Sequence, residues 1–285
     1  MPDFKGYISD LGGPSANMYG MHGRDMTLCR KCSRPSCLHP KPCSNLDNDH
    51  RPILDIYRAA DKVAGVKKSF IGSGVRYDLA MAYNPDNNVR EANRRYLEEL
   101  IRCHVSGRLK VAPEHTSDTV LNGMRKPSFT LFRDFKRIFD RVNSEAGMRQ
   151  QLIPYFISSH PTCREEDMAE LAAITKDLDF QLEQVQDFTP TPMTVATEIY
   201  YTGYHPYTGE KVYTARTPQQ KLAQRQFFFW YKSDQRAGII AELRKMKRQD
   251  LIGKLFPAFR GNTPQGQESH KYSNRNNSKK HKSKY

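Results

Sequence analysis

An α/β fold built on parallel strands is what this sequence predicts, and three observations carry that reading. Five short apolar runs alternate with amphipathic helical stretches, the order that βα units produce. Every run ends in a loop rich in Gly, Pro, Ser, Thr or His. No apolar run approaches the ~20 residues of a membrane helix, and the opening MPDFKGYISD is not a basic, apolar leader, so the compartment expected is the cytoplasm. Parallel strands need cover on both faces and right-handed crossovers, which leads to an open sheet or a barrel. In either architecture ligands bind at the C-terminal strand ends.

The first strand is expected near 5–10, inside the run Phe4 to Leu11, and it ends at Gly12-Gly13-Pro14. Helical spacing follows in Leu54, Tyr57, Ala60 and Val63, closed by Gly65, a residue that helix C-termini favour. A second strand near 67–72 ends at Ser73-Gly74, and a helix with Val89, Ala92, Tyr96, Leu97 and Leu100 on one face comes next. The third strand, near 108–113, runs into Pro113-Glu114-His115. A stripe of Leu131, Phe135, Ile138, Phe139 and Val142 precedes the fourth, near 151–157, which ends at Ser159-His160-Pro161. Met168, Leu171, Ala172, Thr175 and Leu178 precede the fifth, near 180–187, which ends at Phe188-Thr189-Pro190. If the strands are parallel, Gly12, Gly74, Glu114, His160 and Thr189 share one rim.

Residues 1–194 are therefore expected to form the core, with 15–50 as a Cys-rich insertion. Residues 195–260 read as a helical extension. Within it, Ile199 to Thr214 is rich in Tyr and Gly, as a hairpin or extended loop would be. Thr217-Pro218 reads as an N-cap followed by proline at the first helical position. That helix carries Leu222, Gln226 and Phe229, and a single further helix is expected over Arg236 to Leu255. Residues 261–285 are polar and basic, six Lys and Arg against one Glu, and are expected to be disordered. The whole chain carries 45 Lys and Arg against 31 Asp and Glu, a net charge of +14. Such an excess favours polyanionic partners, and nucleic acid is the one considered, although the charge is spread along the chain rather than gathered in a stripe.

The sharpest chemical feature is Cys29-x2-Cys32-x4-Cys37-x5-Cys43, threaded with Pro35, Pro40 and Pro42. Four thiolates satisfy either tetrahedral zinc or an iron–sulfur cluster, and the spacing does not choose between them. His22, His39 and His50 stand near enough in sequence to replace one ligand; four reduced cysteines in an ordinary loop is the plain alternative. Cys103 and Cys163 stand alone, Cys103 as a small apolar side chain at a helix end. Among the strand-end loops, Gly12-Gly13-Pro14 offers backbone groups to a ligand, and Arg76 after Ser73-Gly74 is placed to meet a carboxylate. His115 and His160, each beside a strand end, read either as ligand contacts or as satisfied structural groups.

Taken in order, FKGYISDLGGPSANMYG, CRKCSRPSCLHPKPC, KSFIGSGVRYDLA, LKVAPEHTSDTVLNGMRKP, PYFISSHP and QVQDFTPTPMTVATEIYYTGYHPYTGE resemble the YgiQ-like radical S-adenosylmethionine (SAM) family, over roughly residues 4 to 260. The resemblance implies a partial radical-SAM-type βα barrel, a partial TIM barrel, that binds SAM at the strand ends. A 4Fe–4S cluster held by a CxxxCxxC loop would cleave SAM to a 5′-deoxyadenosyl radical. It implies that Gly12, Gly13 and Pro14 contact the SAM amino group. Ser73, Arg76, Glu114, Ser117 and His160 would face the pocket, and Thr189 with Pro190 would flank the adenosine. No CxxxCxxC occurs in this sequence. The chain therefore reads as a C-terminal portion lacking the first barrel strand, its partner an upstream segment with the cluster ligands, and inactive alone. Cys29, Cys32, Cys37 and Cys43 would then hold a second cluster or zinc. Two rival functions are an RNA-modifying radical SAM enzyme and a non-catalytic, four-cysteine metal-binding interaction module.

Overall fold

The structure is a computed structural model that describes residues 3–11, 15 and 17–257. Gly12, Gly13, Pro14 and the basic stretch 261–285 lie outside the described residues.

Among the described residues the fold is mixed α/β, with parallel sheets and no closed barrel. Strand β1 (Tyr7–Ser9) is followed by the insertion, which holds β2 (His22–Gly23), α1 (Met26–Arg30) and β3 (Leu46–Asp47), with β2 and β3 antiparallel. Then come α2 (Arg51–Asp61), β4 (Lys68–Phe70), α3 (Tyr77–Ala80), α4 (Asn87–Cys103) and β5 (Arg108–Glu114). They are followed by α5 (Asp118–Gly123), α6 (Phe129–Glu145), β6 (Gln151–Ser158), α7 (Glu165–Asp177) and β7 (Gln184–Asp187). β1 and β4 pair in parallel, as do β5, β6 and β7 in that order. A parallel bridge between Val75 and Val111, with the Val75 amide donating to Lys110 O at 3.2 Å, joins the two sheets just past the end of β4. The five predicted strands thus lie side by side in chain order, all parallel. β1 and β7 are shorter than the apolar runs suggest. Phe180, placed in the fifth strand by sequence, instead ends α7 by donating its amide to Thr175 O at 2.9 Å.

The helices cover the sheet through aromatic stripes. Phe132, Phe135 and Phe139 of α6 are fully or almost fully buried, with Tyr77 stacked on Phe135 at 5.3 Å. The stripe on α6 is rotated by about a residue from the predicted one: Phe132 is buried, while Leu131 and Ile138 lie at its margin. α2 ends at Asp61, so Val63 lies outside it and is exposed, and Gly65 takes a positive φ of 87° that suits glycine.

The extension is partly as expected. α8 (Val195–Thr202) takes the first residues of the Tyr/Gly stretch and stops at left-handed Gly203. The remainder is a tight hairpin bridged between Tyr204 and Lys211. Thr217 caps α9 (Pro218–Arg225) in a reciprocal box with Gln220, and a 3₁₀ turn spans Gln226–Phe229. The single helix expected over 236–255 is two, α10 (Arg236–Lys245) and α11 (Gln249–Leu255). They part at Lys247, whose φ of 57° is left-handed, and Arg248 pairs with Glu170 at 2.5 Å and Asp250 at 2.6 Å. The break folds α11 onto α7, where Lys176 Nζ donates to the terminal carbonyls of Lys254 and Leu255. Among the described residues no helix is long and apolar enough to cross a membrane.

Candidate functional site

Three parallel strands deliver three turns to one place. β5 ends at Glu114 with φ 68°, and β6 is followed by Ser159 with φ 60°. Each non-glycine residue in that region costs on the order of 1 kcal/mol, which the surrounding contacts must offset. At Ser159 the contact is visible: its amide donates to Gln224 Oε1 at 2.8 Å, and Gln224 Nε2 donates to Cys163 O at 2.8 Å. Gln224 is fully buried, so α9 of the extension holds the turn that presents His160.

The turns line a cavity of about 550 Å³ whose walls include Glu114, Arg125, Lys126, His160, Thr189 and Met193. Lys126 Nζ lies 3.2 Å from Glu114 Oε1, while Glu114 Oε2 is buried without a hydrogen-bond partner among the described residues. His160 Nδ1 donates to the Pro161 carbonyl at 2.7 Å, which fixes the proton on that nitrogen and leaves Nε2 an acceptor. Burial pushes its pKa down to about 4, so the ring is neutral at pH 7. His115 is a different case. Its Nδ1 accepts from the Ser117 amide at 3.0 Å, and its Nε2 faces Met168 Sδ at 3.4 Å and Cys163 Sγ at 3.5 Å. Complete burial lowers its pKa to about 3 and raises that of the Cys163 thiol; this histidine is a structural group.

Of the residues singled out by sequence, Glu114, His160 and Thr189 therefore meet in one cavity. Pro190 follows Thr189 in the same loop without lining the cavity, and Ser117 stands at the N-terminus of α5. Ser73 and Arg76 sit beyond the end of β4. Asp10 Oδ1 accepts from the amides of Gly72 at 2.9 Å and Ser73 at 2.8 Å and from Ser73 Oγ at 2.8 Å. Burial alone would raise its carboxyl pKa; those donors outweigh it and hold the pKa down. The Arg76 guanidinium is engaged in a two-pronged pair with Asp78 at 2.8 and 2.6 Å, so its carboxylate partner is internal.

The insertion is pinned at both ends by a buried polar network. Asn17 accepts from the Arg76 amide at 2.8 Å, and its Nδ2 donates to His50 Nε2 at 3.0 Å. His50 Nδ1 donates to Asn48 O at 2.8 Å. Asn48 Nδ2 donates to Leu79 O and Ala82 O, and its Oδ1 accepts from Asn84. Both ring nitrogens of His50 are thus used, and burial lowers its pKa to about 4; the spare-ligand role considered for it is excluded.

Between these anchors, Cys29, Cys37, Cys43 and His22 line a second cavity, about 350 Å³. Cys29 Sγ accepts from Asn45 Nδ2 at 3.2 Å and packs so close to Gly23 that an added Cβ would lie 2.2 Å from it. Only glycine fits there. Cys32 is exposed outside this cavity, its Sγ accepting from the Arg34 amide at 3.4 Å. All six cysteines are free thiols. Among the described residues no three His, Cys, Asp or Glu side chains are gathered closely enough to hold a metal ion. Sequence reasoning missed Gln224 and the asparagine network, which carry no motif, and took Lys126 only as part of the MRKP run.

The chain is similar to proteins called UPF0313 protein. It is 67% identical to one from Bacteroides thetaiotaomicron over 90% of this chain and 41% of that protein. It is 61% identical to one from Porphyromonas gingivalis over 90% and 40%. With one from Methanocella arvoryzae the identity is 42% over 89% and 41%. The chain thus spans about two fifths of the length of these curated relatives. Residues 183–285 match the model of a domain of unknown function, DUF3362.

Proposed function

We propose that this chain is the C-terminal portion of a radical SAM enzyme with a partial βα barrel, and that the strand-end cavity receives part of the SAM molecule. The observation that carries the reading is the delivery of Glu114, His160 and Thr189 by three adjacent parallel strands to one cavity of about 550 Å³. The donor set suits the ligand. Glu114 Oε2, buried and unpartnered, is placed to accept from a hydroxyl or attract a cation, and neutral His160 offers an acceptor to an exocyclic amine. In such enzymes a 4Fe–4S cluster supplies the electron that cleaves SAM to a 5′-deoxyadenosyl radical. The cysteines that hold it follow a CxxxCxxC pattern that this sequence does not contain. What these residues do is bind and orient: the Gln224 clamp fixes the His160 turn, and Lys126 sets the Glu114 carboxylate.

The expected result is that the chain binds SAM in calorimetry, with about tenfold weaker binding for Glu114→Gln and for His160→Ala, about 1.4 kcal/mol each. Unchanged affinity in both variants would remove the cavity from the reading. Anaerobic reconstitution with iron and sulfide should give no dithionite-dependent 5′-deoxyadenosine; its formation would place the catalytic cluster on Cys29, Cys32, Cys37 and Cys43.

The shared cavity of Cys29, Cys37 and Cys43 favours a second reading, in which the insertion binds a thiophilic ion, zinc or an iron–sulfur cluster, and serves as an interaction module. Cys32, one turn from Cys29, or His22 completes the set. Purified protein should then carry about one zinc per chain, or an iron–sulfur chromophore. Cys37→Ser should lose it and Cys103→Ser keep it; equal metal content in both variants would count against the site.

A further inference from the structure

An unbroken series of rings leads from the strand-end cavity to the surface. His160 meets Phe188 edge-on at 5.0 Å, Phe188 meets Tyr200 at 5.7 Å, and Tyr200 meets Tyr201 at 5.3 Å. Tyr201 is 67% exposed. Elsewhere on the same rim Tyr207, 72% exposed, lies 5.8 Å from Arg125, itself part of the cavity wall. Tyrosines standing this far into solvent add nothing to the core, and these two reach the cavity wall through their neighbours, Tyr207 through Arg125 and Tyr201 through Tyr200 and Phe188.

Cations flank two of the rings. Lys221 lies 5.2 Å from the Tyr200 centroid and Arg125 beside Tyr207, and neither is in an ion pair among the described residues. By contrast Lys126 and Arg225, close by, are matched by Glu114 at 3.2 Å and Asp187 at 3.1 Å. A ring offers a stacking face to any base, and a cation beside it meets the adjoining phosphate; together they are the means by which single strands are held. A duplex would call for a stripe of cations, whereas the two cations at this rim, Lys221 and Arg125, each lie against a ring. A peptide would call for a sheet edge or an apolar groove, whereas here the cations Lys221 and Arg125 lie over the rings of Tyr200 and Tyr207.

We infer that this rim binds single-stranded nucleic acid, with bases stacked on Tyr201 and Tyr207 and phosphates against Arg125 and Lys221. The inference does not depend on SAM occupying the cavity, and its test contains none.

The test is fluorescence anisotropy of the full chain with labelled 12-nucleotide RNA and DNA single strands, the corresponding duplexes and an acidic peptide of similar charge. Single strands are expected to bind at least tenfold tighter than duplex or peptide. Tyr207→Ala and Tyr201→Ala should each weaken binding about tenfold at fixed salt while leaving the salt slope unchanged. Tyr207→Phe should retain affinity, since the ring remains. Arg125→Gln should instead lower the slope of log K against log salt by about 0.7. Equal binding of duplex, preference for the peptide, absence of single-strand binding, or binding indifferent to both tyrosines would overturn the proposal; the last would assign any affinity to the basic C-terminal residues.

Discussion

Between pH 7 and pH 5 the folded protein is expected to lose about 6 kcal/mol of stability. Burial is the first cause of the depressed pKa of His50, about 4, of His115, about 3, and of His160, about 4. In the unfolded chain each titrates near 6.5. Below that value the unfolded state binds protons that the folded state refuses, so stability falls as pH drops. At pH 5 the difference is about 2 kcal/mol per histidine, from ~1.4 kcal/mol per pH unit. Three such groups consume much of the 5–15 kcal/mol that holds an ordinary domain together. The lowered carboxyl pKa values of Asp10 and Asp49 act in the same direction but only at more acid pH. Urea unfolding at pH 7, 6 and 5 should show uptake approaching three protons on unfolding. A flat dependence over that range would mean that these rings reach solvent in the folded state.

Asn48→Ala should cost about 4 kcal/mol at pH 7. The substitution leaves Ala82 O and the Asn84 side-chain amide without partners, and takes one of two donors from Leu79 O, which keeps the Ala82 amide at 3.3 Å, in a site where Asn48 is 1% exposed. Each stranded buried group costs about 1–3 kcal/mol. Asn88→Ala, on the exposed surface, should stay within about 0.5 kcal/mol. The measurement is urea unfolding with unchanged m-value. A loss below about 1 kcal/mol would show that water replaces the amide, and the same variant would then show a weaker pH dependence, because water would reach His50.

The strands were legible because their apolar runs are short, regularly spaced and closed by turn residues. Their pairing order followed from parallel geometry. The bridge between Val75 and Val111 that joins the two sheets was not, since one bridge beyond a strand end leaves no periodic trace. In α4 the pattern marks Ala92 as core, yet Asn93 is the buried residue, drawn inward by its bonds to Asn48 O and the His50 amide. Polar residues at core positions mislead hydropathy reading wherever a distant partner satisfies them. The split of α10 from α11 was hidden for a similar reason: Lys247 and Arg248 suit a helix, and the ion pairs that favour the break come from α7 and from Asp250. Of the site, proline-flanked His160 and Glu114 could be read from strand-end position. That His115 is structural could not, because it rests on Met168 and Cys163, both about 50 residues away.

The ladder between His22 and Asp47 sets the two ends of the insertion side by side, and the asparagine network fastens both to the residues after β4. A segment tied in this way is a cassette: its interior can lengthen, shorten or be exchanged at little cost in closure entropy, because the join is already made. The cysteine spacing can therefore drift in evolution independently of the strand-end cavity, and a protein engineer can replace residues 24–45 by a short turn without unpicking the sheet.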